Sequence, residues 1–141
     1  LAMARYFGTY AATALVMVLI DMVWLGVIAK PIYQQGIGHL MADSPKLWAA
    51  VLFYVLYPVG LVVFGVLPNA VNQAVSVGWL GALLAGAVFG FLAYATYDLT
   101  NLATLKDWPL SIALIDMAWG TAVSGVSAAV GWRALQHFSA V

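Results

Sequence analysis

Four long apolar runs constrain this chain more than any other feature of its sequence. Each has about the 20 residues that a helix needs to cross the hydrocarbon core of a bilayer. Backbone amides inside hydrocarbon must be hydrogen-bonded within the protein, and a helix meets that requirement by itself. We therefore predict an all-α integral membrane protein, a four-helix antiparallel bundle forming one domain over residues 1–141. The predicted spans are about 6–29, 47–67, 75–97 (or to 105 if the helix continues through the polar segment that follows) and 110–132.

The amino-acid composition supports this class and excludes others. Hydrophobic residues make up 65% of the chain and charged residues 7%, whereas a soluble domain has about 25% charged residues. The formal net charge is zero, so we expect no basic surface for nucleic acid. The absence of cysteine excludes disulfides and thiolate chemistry. The first run is too long for a signal peptide and contains Asp21, so it is predicted to be a span.

The distribution of cationic side chains predicts an orientation. Lys30, Lys46 and Lys106 fall on one side of the bundle, and Arg5 and Arg133 fall with both termini on the other. Lys and Arg are enriched in cytoplasmic loops. We therefore expect a multi-pass membrane protein with its termini on the non-cytoplasmic side. Its expected partners are membrane lipids and either further copies of itself or a larger membrane complex.

The connections between the spans differ in length and polarity. Residues 30–46 form a long first loop, which we expect to carry a short interfacial helix and to act as a lid through Tyr33 and His39. Residues 68–74 form a tight uncharged turn, which would make the second and third helices antiparallel neighbours. Pro109 suits the first turn of the fourth helix.

A polar segment at residues 97–109 interrupts the apolar sequence with many hydrogen-bonding groups. Asp98 follows apolar sequence that reaches back to Gly78, so a helix through this region would carry the carboxyl group into hydrocarbon. An ionisable group at such a depth is a functional candidate by default, because burying it is costly.

Two further acids lie inside the spans, and each is followed by a tryptophan. Asp21 and Trp24 in the first run match Asp116 and Trp119 in the fourth within the shared pattern I-D-M-x-W. Residues i and i+3 lie on one face of a helix, so each carboxyl group is expected to have an indole donor one turn away. Spacing from the helix ends places both acids and Asp98 at a similar depth, roughly 10–14 Å below one surface.

These acids predict an intramembrane site for a ligand or a proton. No Lys or Arg lies inside a predicted span to neutralise them, so some of the carboxyl groups should be protonated or share a proton at neutral pH. The structural alternative is that each acid only bridges neighbouring helices, since such polar contacts are common in membranes. The predicted site residues are Asp21, Trp24, Tyr94, Tyr97, Asp98, Thr100, Asn101, Asp116 and Trp119.

Small residues recur at every fourth position on the third and fourth spans. They are Gly78, Ala82, Gly86 and Gly90 on the third, and Gly120, Ser124 and Ala128 on the fourth. Small residues at this spacing let two helix backbones approach closely. This pattern predicts tight helix packing.

Several cofactor chemistries lack the residues that they need. The predicted spans contain no histidine, so a haem or a His-rich metal centre would have no ligands. They also contain no lysine to form a Schiff base. We expect no cofactor and no metal ion; the alternative left open is a carboxylate-only cation site from Asp21, Asp98, Asp116 and Asn101, whose oxygens suit a hard cation.

Short motifs along the whole chain carry a family resemblance. They are Asp21–Gly26, Tyr33 with Gly38–Leu40, Phe53–Tyr54 through Gly60, Tyr97–Leu105, Trp108–Pro109 and Asp116–Thr121. Through them the chain resembles the small bacterial membrane protein family known as domain of unknown function 2177. The resemblance implies a four-helix protein of the bacterial inner membrane, and it implies no particular activity, cofactor or substrate.

Three functions are compatible with these features. The first is a membrane protein that binds or moves a small solute, an ion or a proton. The second is an enzyme acting on a lipid or an isoprenoid, with Asp98 or Asp116 as acid and base and the first loop as a lid. The third is an accessory subunit of a larger membrane complex. We favour the first, because three acids at one depth are more than helix contacts require, and we do not assign an enzymatic activity.

Overall fold

Four long helices and one short helix make up the part of the protein that the computed structural model describes, residues 2–70 and 78–139. In chain order they are α1 (Ala2–Val23, continued by π-helical residues Trp24–Ile28), α2 (Lys30–Ile37, followed by a 3₁₀ turn at Gly38–Leu40), α3 (Leu47–Leu61, continued by π-helical residues Val62–Val66 and a 3₁₀ turn at Leu67–Asn69), α4 (Gly78–Thr104) and α5 (Leu110–Ser139). The four long helices are long and apolar enough to cross a membrane. The predicted four-helix membrane fold is confirmed.

The helix ends differ in places from those expected. Helix α4 continues through the polar segment to Thr104, so Asp98 lies within a helix. Helix α5 continues to Ser139, beyond the end expected near residue 132. The start expected for the third span at residue 75, and residues 71–74 of the predicted turn, lie outside the described residues.

The most extensive helix packing joins α4 to α5 through small residues. A side chain at Gly86 would collide with Ala128 and with the backbone of Ser124, and one at Gly90 would collide with the carbonyl oxygen of Gly120. Positions that rise along α4 therefore face positions that fall along α5, which is antiparallel packing. We call this contact the small-residue seam.

Helix α1 packs antiparallel to α5 on another side. Met17, Leu61 and Val123 form a buried cluster that joins α1, α3 and α5. Further along, Gly131 of α5 leaves room for the Thr13 side chain of α1. Together with the small-residue seam, these contacts make α5 the central helix of the bundle.

Within the described residues, the backbones of α3 and α4 approach each other closely at one end only. They pack through the π-helical residues Val62–Val66, where Gly65 approaches the backbone of Gly86. Over Leu47–Leu61 the backbones of α3 and α4 lie farther apart, and side chains such as the rings of Tyr57 and Phe89 meet across the gap. The two helices therefore diverge toward the first loop and leave space between them.

Helix α2 closes the first-loop end of the bundle. Its Tyr33 is buried with Ala29, Trp108 and Ile112. The following 3₁₀ turn carries His39, whose Nε2 lies 3.5 Å from the Asp107 carboxylate at an exposed position. The short helix predicted for the first loop is thus held against the start of α5.

Candidate intramembrane carboxyl site

Asp21 of α1 is buried and fully hydrogen-bonded. Its side chain is 4% exposed. The Tyr54 hydroxyl of α3 donates to Oδ2, and the Trp119 indole of α5 donates to Oδ1 over 2.8 Å. Two donors from two other helices stabilise this carboxyl group, so Asp21 joins three elements of the bundle.

Asp116 of α5 lies at the contact with α2. It is partly exposed, and its Oδ1 accepts a hydrogen bond of 2.8 Å from the Tyr33 hydroxyl. The Trp24 indole in turn donates to the Tyr33 oxygen over 3.4 Å. The first loop therefore contacts the intramembrane acids through the Tyr33 side chain.

The Tyr33 hydroxyl acts as a donor over a wide pH range. Burial raises the pKa of Tyr33 well above its usual range; the hydrogen bond from Trp24 opposes this rise, and the negative charge of Asp116 adds to it. The hydroxyl stays protonated at neutral pH and donates to Asp116.

The two tryptophans pair with the acids in a crossed arrangement. The expectation that each indole serves the acid of its own helix is wrong: Trp119 bonds to Asp21, and Trp24 bonds to Tyr33. The indoles stack face to face, with ring centroids 4.4 Å apart and planes inclined by 6°. The i, i+3 spacing brings the side chains of both acids and both tryptophans to the α1–α5 contact. There the Trp119 indole bonds to Asp21 of the opposite helix, and the donor to Asp116 is the Tyr33 hydroxyl.

Asp98 of α4 is buried without a hydrogen-bond donor. It is 0% exposed, and neither carboxyl oxygen has a hydrogen-bond partner among the residues that the structure describes. The Asp116 carboxyl group and the Trp108 indole are its nearest polar neighbours, and the indole Nε1 also lacks a partner within the described residues. Buried polar groups are almost always paired, so the two unpaired oxygens of Asp98 require an explanation.

Two predicted neighbours of Asp98 do not bond to it. Thr100 is exposed, and its hydroxyl donates to the carbonyl oxygens of Thr96 and, over 3.0 Å, Tyr97. Asn101 interacts with the Tyr97 side chain instead. Serving the helix's own backbone is a common use of a helical threonine, and it leaves Asp98 without a donor from its own helix.

Two clefts reach the acids from outside the bundle. The lateral cleft, between α3 and α4, has a volume of about 480 Å³. Its walls are the aromatic side chains Phe53, Tyr54, Tyr57, Tyr94 and Tyr97, and its inner end carries Asp21 and Asp116. The loop-side cleft, of about 450 Å³, lies beside α2. Both clefts share Leu25, Tyr97 and Asp116, so Asp116 stands between them.

The predicted site residues are thus brought together in part. Tyr94 and Tyr97 line the lateral cleft with Asp21 and Asp116. Asp98 lies behind Asp116, and His39 lines neither cleft. Over residues 2–70 and 78–139, no three His, Cys, Asp or Glu side chains converge to hold a metal ion.

Sequence reasoning missed four side chains at the site. Tyr54 and Tyr57, one turn apart on α3, bond to Asp21 and to the Ser124 hydroxyl (2.7 Å). Phe53 lines the lateral cleft, and Trp108 approaches Asp98. The sequence signal for Tyr54 and Tyr57 was their position on one face of an apolar span, because hydroxyl groups inside a membrane form hydrogen bonds with neighbouring helices.

Comparison with known proteins gives a family. The family described as "Predicted membrane protein (DUF2177)" matches residues 6–133. No curated protein and no solved structure matches the chain.

Proposed function

The chain belongs to this family of predicted membrane proteins, and we propose that it binds a small solute, an ion or a proton at Asp21, Asp98 and Asp116. The observation that carries the proposal is the lateral cleft of about 480 Å³, which reaches Asp21 and Asp116 from outside. A carboxyl group that only joined helices would be enclosed by close packing, because protein interiors are packed as densely as organic crystals, whereas Asp116 is partly exposed and borders two clefts.

The unpaired carboxyl group of Asp98 supports the same proposal. Two adjacent carboxylates in a low dielectric repel each other, so Asp98 and Asp116 are stable together with a proton or a cation between them. Asp116 faces both clefts, whereas Asp98 is sealed behind it. In this proposal Asp116 exchanges the ligand or proton with the cleft, and Asp98 tunes how tightly Asp116 holds it.

Infrared spectroscopy of the carboxyl C=O stretch tests whether the acids titrate. We expect the purified protein to show a protonated-carboxyl band that disappears when the pH is raised. The band should be lost in Asp98→Asn and in Asp116→Asn. The matched control is Asp43→Asn, which removes an exposed loop carboxylate and should leave the band unchanged. A band that persists at every pH would mean permanently protonated helix contacts and would refute the proposal.

A membrane enzyme acting on a lipid or isoprenoid is the second candidate. The observation in its favour is that the lateral cleft opens between α3 and α4 and has aromatic walls, which suit an apolar chain. Asp116 or Asp98 would then act as acid and base, with the first loop as a lid. Native mass spectrometry that finds one lipid bound in wild type and none in a cleft-blocked Ala93→Trp variant would favour this candidate.

We also propose an inner-membrane location with the first and third loops in the cytoplasm. The support is the distribution of Lys and Arg. Because the chain has no cysteine, Ser44→Cys and Ser139→Cys each introduce a single reactive thiol at an exposed position. An impermeant maleimide added to intact spheroplasts should label the Ser139→Cys variant and spare the Ser44→Cys variant. The reverse pattern would invert the proposed orientation.

A further inference from the structure

The lateral cleft is larger than a proton or a metal ion requires. Its volume of about 480 Å³ falls in the range of sites for small organic molecules. Inorganic cations such as Ca²⁺ and Mg²⁺ need six or more oxygen ligands, and in the described residues no third acid or histidine converges on Asp98 and Asp116. The space suits an organic ligand.

The walls of the cleft are aromatic on both sides. The ring of Tyr57 on α3 lies 5.2 Å from that of Phe53 and 6.1 Å, edge to face, from that of Tyr94 on α4. Tyr97 completes the α4 wall and is 53% exposed. Aromatic ring faces carry negative electrostatic potential and attract cations, most strongly where water is excluded.

Among the described residues, the inner end of the cleft carries two carboxyl groups and no cationic side chain. Asp21 and Asp116 line it, and no Lys, Arg or His does so within the described residues. Asp98 lies behind Asp116 with two unpartnered, fully buried oxygens. The cleft therefore lacks a counter-charge of its own.

We propose that the lateral cleft binds an organic cation, an ammonium group carried on an apolar body, that enters from the membrane between α3 and α4. This inference rests on the proposed function and specifies the ligand of that site. The ammonium group lies between the aromatic rings and the Asp116 carboxylate, and the apolar body extends toward the lipid along the opening between α3 and α4.

Calorimetric titration with a matched pair of probes tests the inference. Benzyltrimethylammonium is a cation with an apolar ring, and benzyl alcohol is a neutral compound with the same ring. We expect the cation to bind at least about tenfold more tightly than the alcohol, and this preference should disappear in Asp116→Asn. Tyr94→Leu should weaken cation binding about tenfold relative to Tyr94→Phe, which keeps a ring. Asp43→Asn, which changes an exposed loop residue that lines neither cleft, should bind the cation as wild type does.

The results separate this inference from the proposed function. Equal binding of cation and alcohol, alongside a carboxyl band that still titrates, would overturn the proposal that the ligand is an organic cation. It would leave the proposed carboxyl site unaffected. Loss of both the preference and the titration would overturn both proposals. Unchanged cation binding in Tyr94→Leu, with a normal melting temperature, would also overturn the inference, because the aromatic wall would then contribute nothing.

Discussion

The two faces of α4 differ in how they meet their neighbouring helices. Toward α5, the small-residue seam brings backbones so close that no side chain fits at Gly86 or Gly90. Toward α3, the rings of Tyr57, Phe89 and Tyr94 stand between the helices, and a cleft of about 480 Å³ remains. Both faces of α4 use residues four positions apart: Gly86 and Gly90 toward α5, and Phe89, Ala93 and Tyr97 toward α3. Residue size at those positions decides whether a membrane helix pair closes or leaves a site.

The small-residue seam between α4 and α5 is expected to be more sensitive to added side-chain volume than the contact between α4 and α3. Gly90→Ala places a Cβ against the carbonyl oxygen of Gly120 and the Ser124 side chain, and it should destabilise the protein by about 3 kcal/mol. Thermal unfolding in detergent measures the loss. The matched control is Gly26→Ala, where an added Cβ meets nothing within 4 Å; its stability should be unchanged or raised by up to about 1 kcal/mol. If Gly90→Ala lost no more stability than Gly26→Ala, the added Cβ at Gly90 would be accommodated, and the small-residue seam would not be tightly packed.

The buried acids Asp21 and Asp98 should differ from each other in the same assay. Asp21→Asn places an amide against the Tyr54 and Trp119 donors, so one donor loses its acceptor and stability should fall by about 2 kcal/mol. Asp98→Asn keeps an oxygen that can accept from the Trp108 indole and an N–H that can donate to Asp116, so it should change stability by less than about 0.5 kcal/mol, while the titrating carboxyl band disappears. A large loss of stability in Asp98→Asn would instead indicate a structural role for that carboxyl group.

Much of the fold followed from sequence, because it depends on local patterns. The length of the apolar runs predicts the number of spans, and the repeated small residues predict the seam. The site was predicted less completely. Asp21, Asp98 and Asp116 were identified by their depth along single helices, but their partners come from other elements. Tyr54 of α3 and Tyr33 of α2 reach the acids across the bundle, and no spacing within one helix encodes such a contact.

The crossed pairing can be tested by double-mutant cycles. Trp119→Phe keeps a ring to stack on Trp24 and removes the indole donor to Asp21, so it should cost about 1.5 kcal/mol. Combined with Asp21→Asn, it should show a coupling energy of at least about 1 kcal/mol. Combined with Asp116→Asn, the acid of its own helix, it should be additive. Coupling to Asp116 rather than to Asp21 would contradict the crossed arrangement and indicate that Trp119 pairs with the acid of its own helix.

A loss of stability smaller than those at Gly90, Asp21 and Trp119 is expected where the first loop meets Asp116. Tyr33→Phe removes the hydroxyl that donates to Asp116 and should cost about 1 kcal/mol. Because the pKa of Tyr33 is raised in the folded protein, the unfolded chain loses this proton first as the pH rises. The stabilisation is therefore complete below about pH 10, the usual pKa of tyrosine, and declines above it. Melting temperatures of wild type and Tyr33→Phe should accordingly differ at neutral pH and converge under alkaline conditions. Parallel curves across the alkaline range would mean that the Tyr33 hydroxyl is not buried against Asp116, and that the first loop does not close the site.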